Sequence, residues 1–280
     1  MPTLADIKLD ENIVALACGK GGSGKSTALA SFPKPIYIFD IEQRIKGILG
    51  SDIISDDDRS QIHFDQYDAK NGFKAIDEKL INFSQLCDKR ELKFKTIIVE
   101  SADALCEMLL VDSFNLKTGN KPIATLKPGD TKGTNIIGNV AIPTPDDYKY
   151  VYTAFRKIYY NYFKYFKKCN VILSAGTTPV WGPNPKEKEN KYASDIVVGR
   201  RIFVPNQLAD MLPRWFDEVW EFNKEETGAK SDPLHFTVQF RSELAKTCFS
   251  KLPAQLDITN KNFFNEVKRF LPQPAVEKIA

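Results

Sequence analysis

Short apolar runs alternate along the chain with longer segments whose apolar residues recur at helical spacing. The short runs are rich in β-branched residues and predict strands at Ile13–Cys18, Pro35–Asp40, Ile62–Tyr67, Thr96–Glu100 and Asn170–Ala175. The longer segments predict helices at Gly24–Ser31, Gly72–Lys89, Ala102–Phe114 and Asp146–Lys168. Because strands and helices alternate, the pattern predicts an α/β domain with a mostly parallel sheet and helices on both of its faces.

The C-terminal part of the chain predicts additions to this sheet. Apolar runs at Asp217–Asn223 and His235–Phe240 are typical of added edge strands, and Lys261–Phe270 predicts a closing helix. Two segments, at about 117–145 and 179–201, are rich in glycine, proline and charged residues and predict loop insertions without regular structure. Since there is no internal repeat, we interpret residues 1–280 as a single domain.

Aromatic residues crowd the predicted helix that begins at Asp146. Steps of four and three residues separate Tyr148, Tyr152, Phe155, Tyr159, Tyr162 and Phe166. This spacing predicts one helical face that packs against the sheet. Tyr150, Tyr160 and Tyr165 lie off that face, so both packing and stacking on nucleobases stay open for them.

The composition is that of a globular protein. The chain has 280 residues, of which 42% are hydrophobic and 27% are charged, which is enough to bury a core. The net charge is only +3, so contact with nucleic acid requires a local basic patch. No apolar run approaches the roughly 18 residues of a membrane span, and the acidic start does not fit a secretory signal. We therefore expect a cytoplasmic protein that makes no contact with membranes.

Cysteine and histidine usage excludes several kinds of site. The 5 cysteines are scattered without a CxxC pair, which argues against a disulfide framework and against a zinc site. His63 and His235 are the 2 histidines of the chain, so a site that needs several histidines is excluded. A Ser-His-Asp triad would have to use one of these two residues.

A phosphate-binding loop is the strongest local motif. The sequence Gly19-Lys20-Gly21-Gly22-Ser23-Gly24-Lys25-Ser26 matches GxxxxGK[ST] between a predicted strand and a predicted helix. Its glycines allow successive backbone N–H groups to face one anion, and the helix start adds its positive dipole end. We expect Lys25 to neutralise the β- and γ-phosphates and the Ser26 hydroxyl to bind Mg²⁺. The loop and the following Thr27 therefore predict a site for ATP with Mg²⁺.

Acidic residues follow two of the predicted strands. Asp40 and Glu42 are expected near the γ-phosphate if their strand neighbours the first one, Asp40 at the metal and Glu42 holding the attacking water. Glu100 ends a buried apolar run as a Walker B acid does, and is expected to contact Mg²⁺ through a bound water. Helix capping or a surface position is the alternative for these acids. A third strand ends in Ser174, Thr177 and Thr178, which are candidates for sensing the γ-phosphate.

The order of these motifs resembles RecA-like ATPases, and within them the phage-encoded nucleotide-binding proteins of the Sak group that assist single-strand annealing and recombination. The resemblance covers most of the chain outside the two insertions. It rests on Gly19–Ser26, Phe32-Pro33-Lys34-Pro35, Phe39-Asp40-Ile41-Glu42, Thr96–Leu105 and Val171–Thr177. It implies a RecA-like P-loop fold and an ATPase that acts on single-stranded DNA in the cytoplasm of a bacterial host.

The same resemblance implies roles for individual residues. Glu42 matches the catalytic glutamate, and Glu100 stands at the Walker B position, where the family usually has aspartate. Subunits are expected to form a homo-oligomer with ATP between them, in which Lys246 or Lys251 contacts a neighbour's phosphates. A single-strand DNA-binding protein is a further implied partner.

Basic residues of the two insertions are the candidates for DNA contacts, because DNA-binding loops of RecA-like proteins stand at these places. The candidates are Lys117, Lys121, Lys127, Lys132, Arg200 and Arg201. Solvated surface residues are the alternative interpretation.

Two other functions stay open. Lys20-Gly21-Gly22 also resembles the loop of the ParA/MinD partition ATPases, in which the first lysine acts across a dimer. Against this, only eight residues separate Ser26 from Pro35, too few for the long helix of those proteins, and no Asp-Pro-Gln strand end is present. The second alternative is a nucleotide-binding interaction module with little turnover.

Overall fold

One mixed sheet of nine strands forms the centre of the protein. The computed structural model describes residues 12–271 except 69–70, 121–134, 138–139, 167, 183–195, 227–233 and 250. The strands are β1 (Val14–Gly19), β2 (Ile36–Asp40), β3 (Ile62–Gln66), β4 (Thr96–Glu100), β5 (Asn135–Ile137), β6 (Val140–Ile142), β7 (Asn170–Gly182), β8 (Ile196–Ile202), β9 (Glu218–Glu226), β10 (Leu234–Gln239) and β11 (Gln255–Asp257). Of these, β5 and β6 form a separate hairpin.

The helices lie between these strands. They are α1 (Lys25–Leu29), α2 (Lys46–Leu49), α3 (Asp56–Ser60), α4 (Lys74–Asp88), α5 (Ala102–Thr118), α6 (Pro145–Ile158), α7 (Asn206–Trp215) and α8 (Phe263–Lys268). Alternate strand residues belong to two separate buried clusters: Leu16 and Tyr37 to one, Ala15 and Ile38 to the other. Both faces of the sheet are therefore covered, as predicted for this α/β class.

The strand order is β11-β10-β9-β1-β7-β4-β2-β3, with β8 paired to β7. The six strands from β9 to β3 run parallel, whereas β10, β11 and β8 pair antiparallel. The condition set for Asp40 and Glu42 is not met, because β7 and β4 lie between β1 and β2. The prediction of edge strands at Asp217–Asn223 and His235–Phe240 is wrong: β9 lies between β1 and β10, and β10 lies between β9 and β11.

The two predicted insertions contain more regular structure than expected. β7 continues past the predicted strand end to Gly182 and forms an antiparallel hairpin with β8. In the first insertion, β5 and β6 pair antiparallel. The prediction that these segments lack regular structure is therefore wrong for these parts.

The aromatic face of α6 packs largely as predicted. Phe155, Tyr159, Tyr162 and Phe166 are buried, whereas Tyr148 at the start of the stripe is 42% exposed. A π-helical turn over Tyr159–Phe163 follows α6 and brings Phe163 into the core as well. Of the off-stripe rings, Tyr160 and Tyr165 are exposed, and the Tyr150 hydroxyl donates to Asp112.

None of the helices in the described ranges combines the length and the apolar character that crossing a bilayer requires.

Candidate nucleotide site

The loop between β1 and α1 has the backbone that its glycines predict. A Cβ atom at Gly19 would lie 2.4 Å from the carbonyl oxygen of Phe222 in the neighbouring β9. Gly24, the N-cap of α1, has a φ of 81° and lies against the Phe236 ring. A side chain at Gly19 would collide with backbone, and one at Gly24 would be strained in the left-handed region.

Lys25 is held close to its own loop. Its ammonium donates to the carbonyl oxygens of Gly19, at 2.8 Å, and Lys20, at 3.1 Å. These contacts engage two of its three N–H donors. Burial lowers the pKa of Lys25, and the charge of Glu100 opposes this effect. An anion beside Lys25 would favour its charged form.

A cavity of about 490 Å³ lies over this loop, at the carboxyl ends of β1, β2 and β4. Ligands of parallel α/β sheets bind at this end of the strands. The lining residues come from five segments of the chain: Gly21, Gly22, Ser23, Gly24, Lys25, Ser26, Thr27, Glu42, Arg44, Gly47, Glu100, Ser101, Asp103, Ser174, Ala175, Gly176 and Phe236. The structure thus brings together the loop, Glu42, Glu100 and Ser174, as the sequence predicted.

Ser26 and Glu100 meet at the floor of the cavity. The Ser26 hydroxyl donates to Glu100 Oε1 at 2.7 Å. Burial raises the pKa of Glu100, while the Ser26 hydrogen bond and the Lys25 charge lower it. A hydroxyl and a carboxylate are oxygen ligands of the kind that Mg²⁺ takes. The described residues contain no cluster of three or more His, Cys, Asp or Glu side chains suited to a metal ion, so phosphate oxygens would have to complete such a site.

Glu42 enters the cavity from the loop after β2. Its Oε2 atom forms an ion pair with Arg44 Nη1 at 3.0 Å, and its Oε1 atom accepts from the Ser101 hydroxyl. The Ser101 hydroxyl also contacts Asp103 Oδ1. Burial raises the pKa of Glu42, the Ser101 hydrogen bond and the Arg44 charge lower it, and the Asp103 charge raises it.

Asp40 does not line the cavity. Its carboxylate is buried and accepts hydrogen bonds from the backbone N–H of Arg44, at 2.9 Å, and of Ile45, at 3.3 Å. The Gln66 side chain donates to the same carboxylate at 3.2 Å. Asp40 therefore fixes the turn that carries Glu42, and the expectation that it contacts the metal is wrong because its oxygens face the backbone.

Three buried hydroxyls in this region have no hydrogen-bond partner among the described residues: Ser23 Oγ, Ser174 Oγ and Thr177 Oγ1. Ser23 and Ser174 line the cavity. Buried hydroxyls of this kind normally have a partner, so a ligand with acceptor oxygens suits the site. The sensor role predicted for Ser174, Thr177 and Thr178 stays a prediction, and of the three only Ser174 lines the cavity.

A second cavity of about 260 Å³ adjoins the first, and the two share Gly24, Thr27, Gly47 and Phe236. Ile53 and Ile258 supply apolar surface, and Ser51, Asn260 and Lys261 also line it. An aromatic ring beside small apolar and polar groups is a surface on which a planar heterocycle can stack.

The basic residues predicted for DNA contact fall in different places. Lys121, Lys127 and Lys132 lie outside the described residues. Lys117 forms an ion pair with the buried Asp147 at 2.7 Å, so it joins α5 to α6 and is not a free surface lysine.

Two of the predicted DNA contacts lie in the described residues of the β7–β8 hairpin. Arg200 donates to Asn223 at 3.1 Å, and Arg201 pairs with Asp210 at 3.6 Å. The sequence analysis did not single out Trp181 of the same hairpin, which is 60% exposed.

Arg44, Asp103 and Phe236 are among the lining residues for which no role was predicted from the sequence. Arg44 and Asp103 follow Glu42 and Glu100 by two and three residues, so the only available signal was their nearness to predicted acids. Phe236 comes from β10, some two hundred residues after the loop, and no local pattern marks it. Its position follows from the strand order alone.

The sheet and the cavity together define the class of the protein. A glycine loop between strand and helix, with its lysine and a hydroxyl–carboxylate pair at the same sheet edge, is the site of a P-loop nucleotide-binding protein. The family model described as AAA domain matches residues 11–249. The chain therefore belongs to the AAA domain family, which indicates a P-loop ATPase of the AAA type.

Other comparisons add less. Among solved structures, the chain is similar to the crystal structure of an uncharacterized protein, PH0321 from Pyrococcus horikoshii, in complex with an unknown peptide. The TM-score is 0.40 and the identity 10%, over 89% of each chain. Among curated proteins, none matches the sequence. The finer resemblance to the Sak group stays a prediction.

Proposed function

We propose that this protein is a Mg²⁺-dependent ATPase whose cycle acts on single-stranded DNA during recombination or annealing. One observation carries the ATPase part: Lys25, the Ser26–Glu100 pair and Glu42 line the same cavity. An ammonium for phosphate charge, oxygen ligands for Mg²⁺ and a carboxylate for water are the groups that phosphoryl transfer needs.

The two adjoining cavities suit the two halves of ATP. The triphosphate would occupy the larger one, where backbone N–H groups of the loop and the Lys25 ammonium face it. The base would lie in the smaller one, beside the Phe236 ring that both cavities share. Phosphate binding would exchange the contacts of Lys25 to Gly19 and Lys20 for stronger, charge-assisted ones.

The residues beside the loop fit Mg²⁺. Ser26 and Glu100 would hold it, directly or through water, and the ion would neutralise charge on the phosphate oxygens. Glu42 would accept a hydrogen bond from the attacking water and orient it towards the γ-phosphorus. Its half-buried position limits competing contacts with bulk water.

ATP turnover with and without Mg²⁺ tests this proposal. Lys25→Ala is expected to abolish turnover and weaken nucleotide binding, because the cavity loses the lysine ammonium that the loop places in its lining. Lys93→Ala is the matched control, since Lys93 is exposed at the amino end of β4. Full activity of Lys25→Ala would overturn the proposal.

Two other results of the turnover experiment would favour the alternative functions. Loss of turnover in Lys20→Ala as complete as in Lys25→Ala would indicate a partition-type dimer that uses Lys20 across its interface. ATP retained unchanged after long incubation would indicate the interaction module. Our proposal expects a mild effect of Lys20→Ala and release of phosphate.

The β7–β8 hairpin supports the DNA part of the proposal. Trp181 is 60% exposed near the end of β7, and Val180 and Val197 beside it are also exposed. Arg200 and Arg201 follow on β8. An exposed aromatic ring close to arginines can stack on bases while the cations contact phosphates. Because β7 also lines the nucleotide cavity through Ser174–Gly176, this hairpin is directly connected to the ATP site.

Binding of a fluorescent single-stranded oligonucleotide at two salt concentrations tests the DNA part. Trp181→Ala is expected to weaken binding by about tenfold, as for the loss of one stacked base. Phe64→Ala removes a comparably exposed ring from edge strand β3 and is expected to bind as the unaltered protein does. Equal binding by Trp181→Ala and the unaltered protein would contradict a DNA contact at this hairpin.

A further inference from the structure

Ser101 lies between two acidic side chains. Its hydroxyl contacts both Glu42 Oε1 and Asp103 Oδ1, and the residue itself is buried. Ser101 directly follows β4 and is the N-cap of α5. Asp103 lies in the first turn of that helix. An acid at this position is common because it interacts with the helix dipole. The contacts of Asp103 extend beyond α5.

Asp103 also contacts β7. The backbone N–H of Gly176 donates to Asp103 Oδ1 at 3.4 Å. The Gly176 carbonyl in turn accepts from the N–H of Phe203 at 2.9 Å. The acid therefore joins three parts of the cavity wall: the loop after β2, the start of α5 and the middle of β7.

Glu42 and Asp103 share the single hydroxyl hydrogen of Ser101, so the three side chains form one hydrogen-bonded group. A serine hydroxyl has one hydrogen, so it donates to only one carboxylate at a time. The contact to the other carboxyl group is favourable when that group carries a proton or when the hydroxyl alternates between the two. The position of the Glu42 carboxylate thus depends on Asp103 even though Ser101 lies between them.

Besides Ser101, Glu42 contacts Arg44 and lies beside the Asp103 carboxyl group. Arg44 has a side chain that is 72% exposed, and an ion pair with such a group contributes little. Lys25 and Glu100 also face Glu42 across the cavity. The buried contact with Ser101 is therefore the one that fixes the carboxylate.

We propose that Asp103 is a positioning residue of ATP hydrolysis, holding the Glu42 carboxylate in place through the Ser101 hydroxyl and tying it to β7 through the Gly176 amide. The inference rests on the proposed ATPase function. Glu42 would contact the attacking water, and Asp103 acts only through Glu42.

Steady-state kinetics of single and double variants test the inference. Asp103→Ala is expected to lower kcat by about tenfold or more, because a displaced base orients water poorly. The KM for ATP is expected to change less than about threefold, since the phosphate loop is untouched. Glu107→Gln removes an exposed acid from the next turn of α5 and serves as the matched control.

The double variant separates positioning from a general structural role. In a Glu42→Gln background, Asp103→Ala is expected to cause no further loss of kcat, because the residue it positions is already inactive. If the double variant loses kcat by the product of the two single losses, the inference is overturned. An Asp103→Ala kcat within about twofold of that of the unaltered protein would overturn it as well. A rise in KM equal to the fall in kcat would overturn it too.

A second variant covers the case in which Asp103→Ala does not fold. Ser101→Ala removes the bridging hydroxyl and is expected to give the same kcat loss, again without effect in the Glu42→Gln background. Unaltered protein without any turnover would overturn the proposed ATPase function and this inference together. Normal turnover in both Asp103→Ala and Ser101→Ala would overturn the inference alone.

Discussion

Burial determines the charge state of the side chains that face the nucleotide cavity. It lowers the pKa of Lys25 and raises those of Glu42 and Glu100, so each of the three is driven towards its neutral form. Phosphates and Mg²⁺ would oppose both effects, because an anion favours the ammonium and a cation favours the carboxylates. In the proposed function, binding of the metal nucleotide would therefore favour the charged forms of these side chains.

The pH dependence of turnover follows from Glu42. Its pKa is raised, so the ionised form that accepts from water is lost at a higher pH than for an ordinary glutamate. We expect kcat/KM, which reports the nucleotide-free protein, to fall on the acid side with a midpoint above 4.5, the ordinary value. In Asp103→Asn this midpoint should move to lower pH, because one negative charge that raises it is gone. A pH profile of kcat/KM for both proteins checks this, and an unmoved midpoint would contradict it.

Gly19 and Gly21 of the phosphate-binding loop differ in the space around them, which predicts different effects of alanine on stability. Gly19→Ala would place its Cβ 2.4 Å from a backbone oxygen of β9, whereas a Cβ at Gly21 meets open space. We expect Gly19→Ala to lower the free energy of unfolding by about 2 kcal/mol and Gly21→Ala to change it by less than about 0.5 kcal/mol. Urea unfolding of the nucleotide-free variants measures both, and equal midpoints would show that the loop backbone moves freely.

Local motifs made part of this site predictable. The loop, Glu42 and Glu100 follow strand ends directly, so short sequence patterns were sufficient to find them, although their roles stay predictions. Asp40 has the same signal but turns its carboxylate towards backbone N–H groups. Side-chain direction after a strand end depends on the following turn, which the pattern of apolar residues does not describe.

Strand pairing was less predictable than the strands themselves. Asp217–Asn223 was predicted as an edge strand, yet it forms most of the internal β9, in which Glu218 is buried and paired. It accepts from the Trp220 indole, the Thr247 hydroxyl and the Cys248 amide. Partners nearly thirty residues away allow an acid inside the sheet, and such partners are invisible to a local pattern.

The junction of α5 and α6 depends on one buried acid. Asp147 accepts from Ser113 at 2.7 Å and from the Thr144 amide at 2.7 Å, and pairs with Lys117 at 2.7 Å. These groups outweigh the effect of burial and lower its pKa to about 2. The carboxylate therefore stabilises the fold at neutral pH.

Asp147→Ala is expected to lower the free energy of unfolding by about 3 kcal/mol, because Lys117 and Ser113 lose a buried partner. Asp146→Ala, which removes an exposed acid from the same turn, is expected to cost well under about 1 kcal/mol. Because the folded pKa is depressed, the contribution of Asp147 is complete above about pH 4 and is lost as pH falls through about 2. Urea unfolding at pH 7 and at pH 3 measures this, and equal costs for the two variants would contradict it.

At the scale of the whole molecule, the proposed homo-oligomer gives a role to two exposed lysines. Lys246 and Lys251 are exposed and do not line the chain's own nucleotide cavity. A contact of either lysine with phosphates would therefore have to be made in a neighbouring subunit. The proposal that ATP lies between subunits rests on this placement and on the resemblance to RecA-like ATPases.

Light scattering with a slowly hydrolysed ATP analogue tests the assembly. We expect the mass to rise from 31.7 kDa to a multiple of it, and turnover per chain to increase with protein concentration. The double variant Lys246→Ala, Lys251→Ala is expected to lose that increase, whereas Lys268→Ala, an exposed lysine of α8, keeps it. A single-chain mass at all concentrations would contradict the proposed oligomer.

β7 runs from the nucleotide cavity to the exposed Trp181, and its pairing with β8 shifts register between Val180 and Trp181. From Gly176 to Gly182 it extends roughly 20 Å at about 3.3 Å per residue, stiffened by its pairing with β8. A tilt of about 5° at Gly176 would displace Trp181, about 16 Å further along the strand, by roughly 1.4 Å. In the proposed function, a movement of β7 at the nucleotide cavity would therefore be carried to the β7–β8 hairpin.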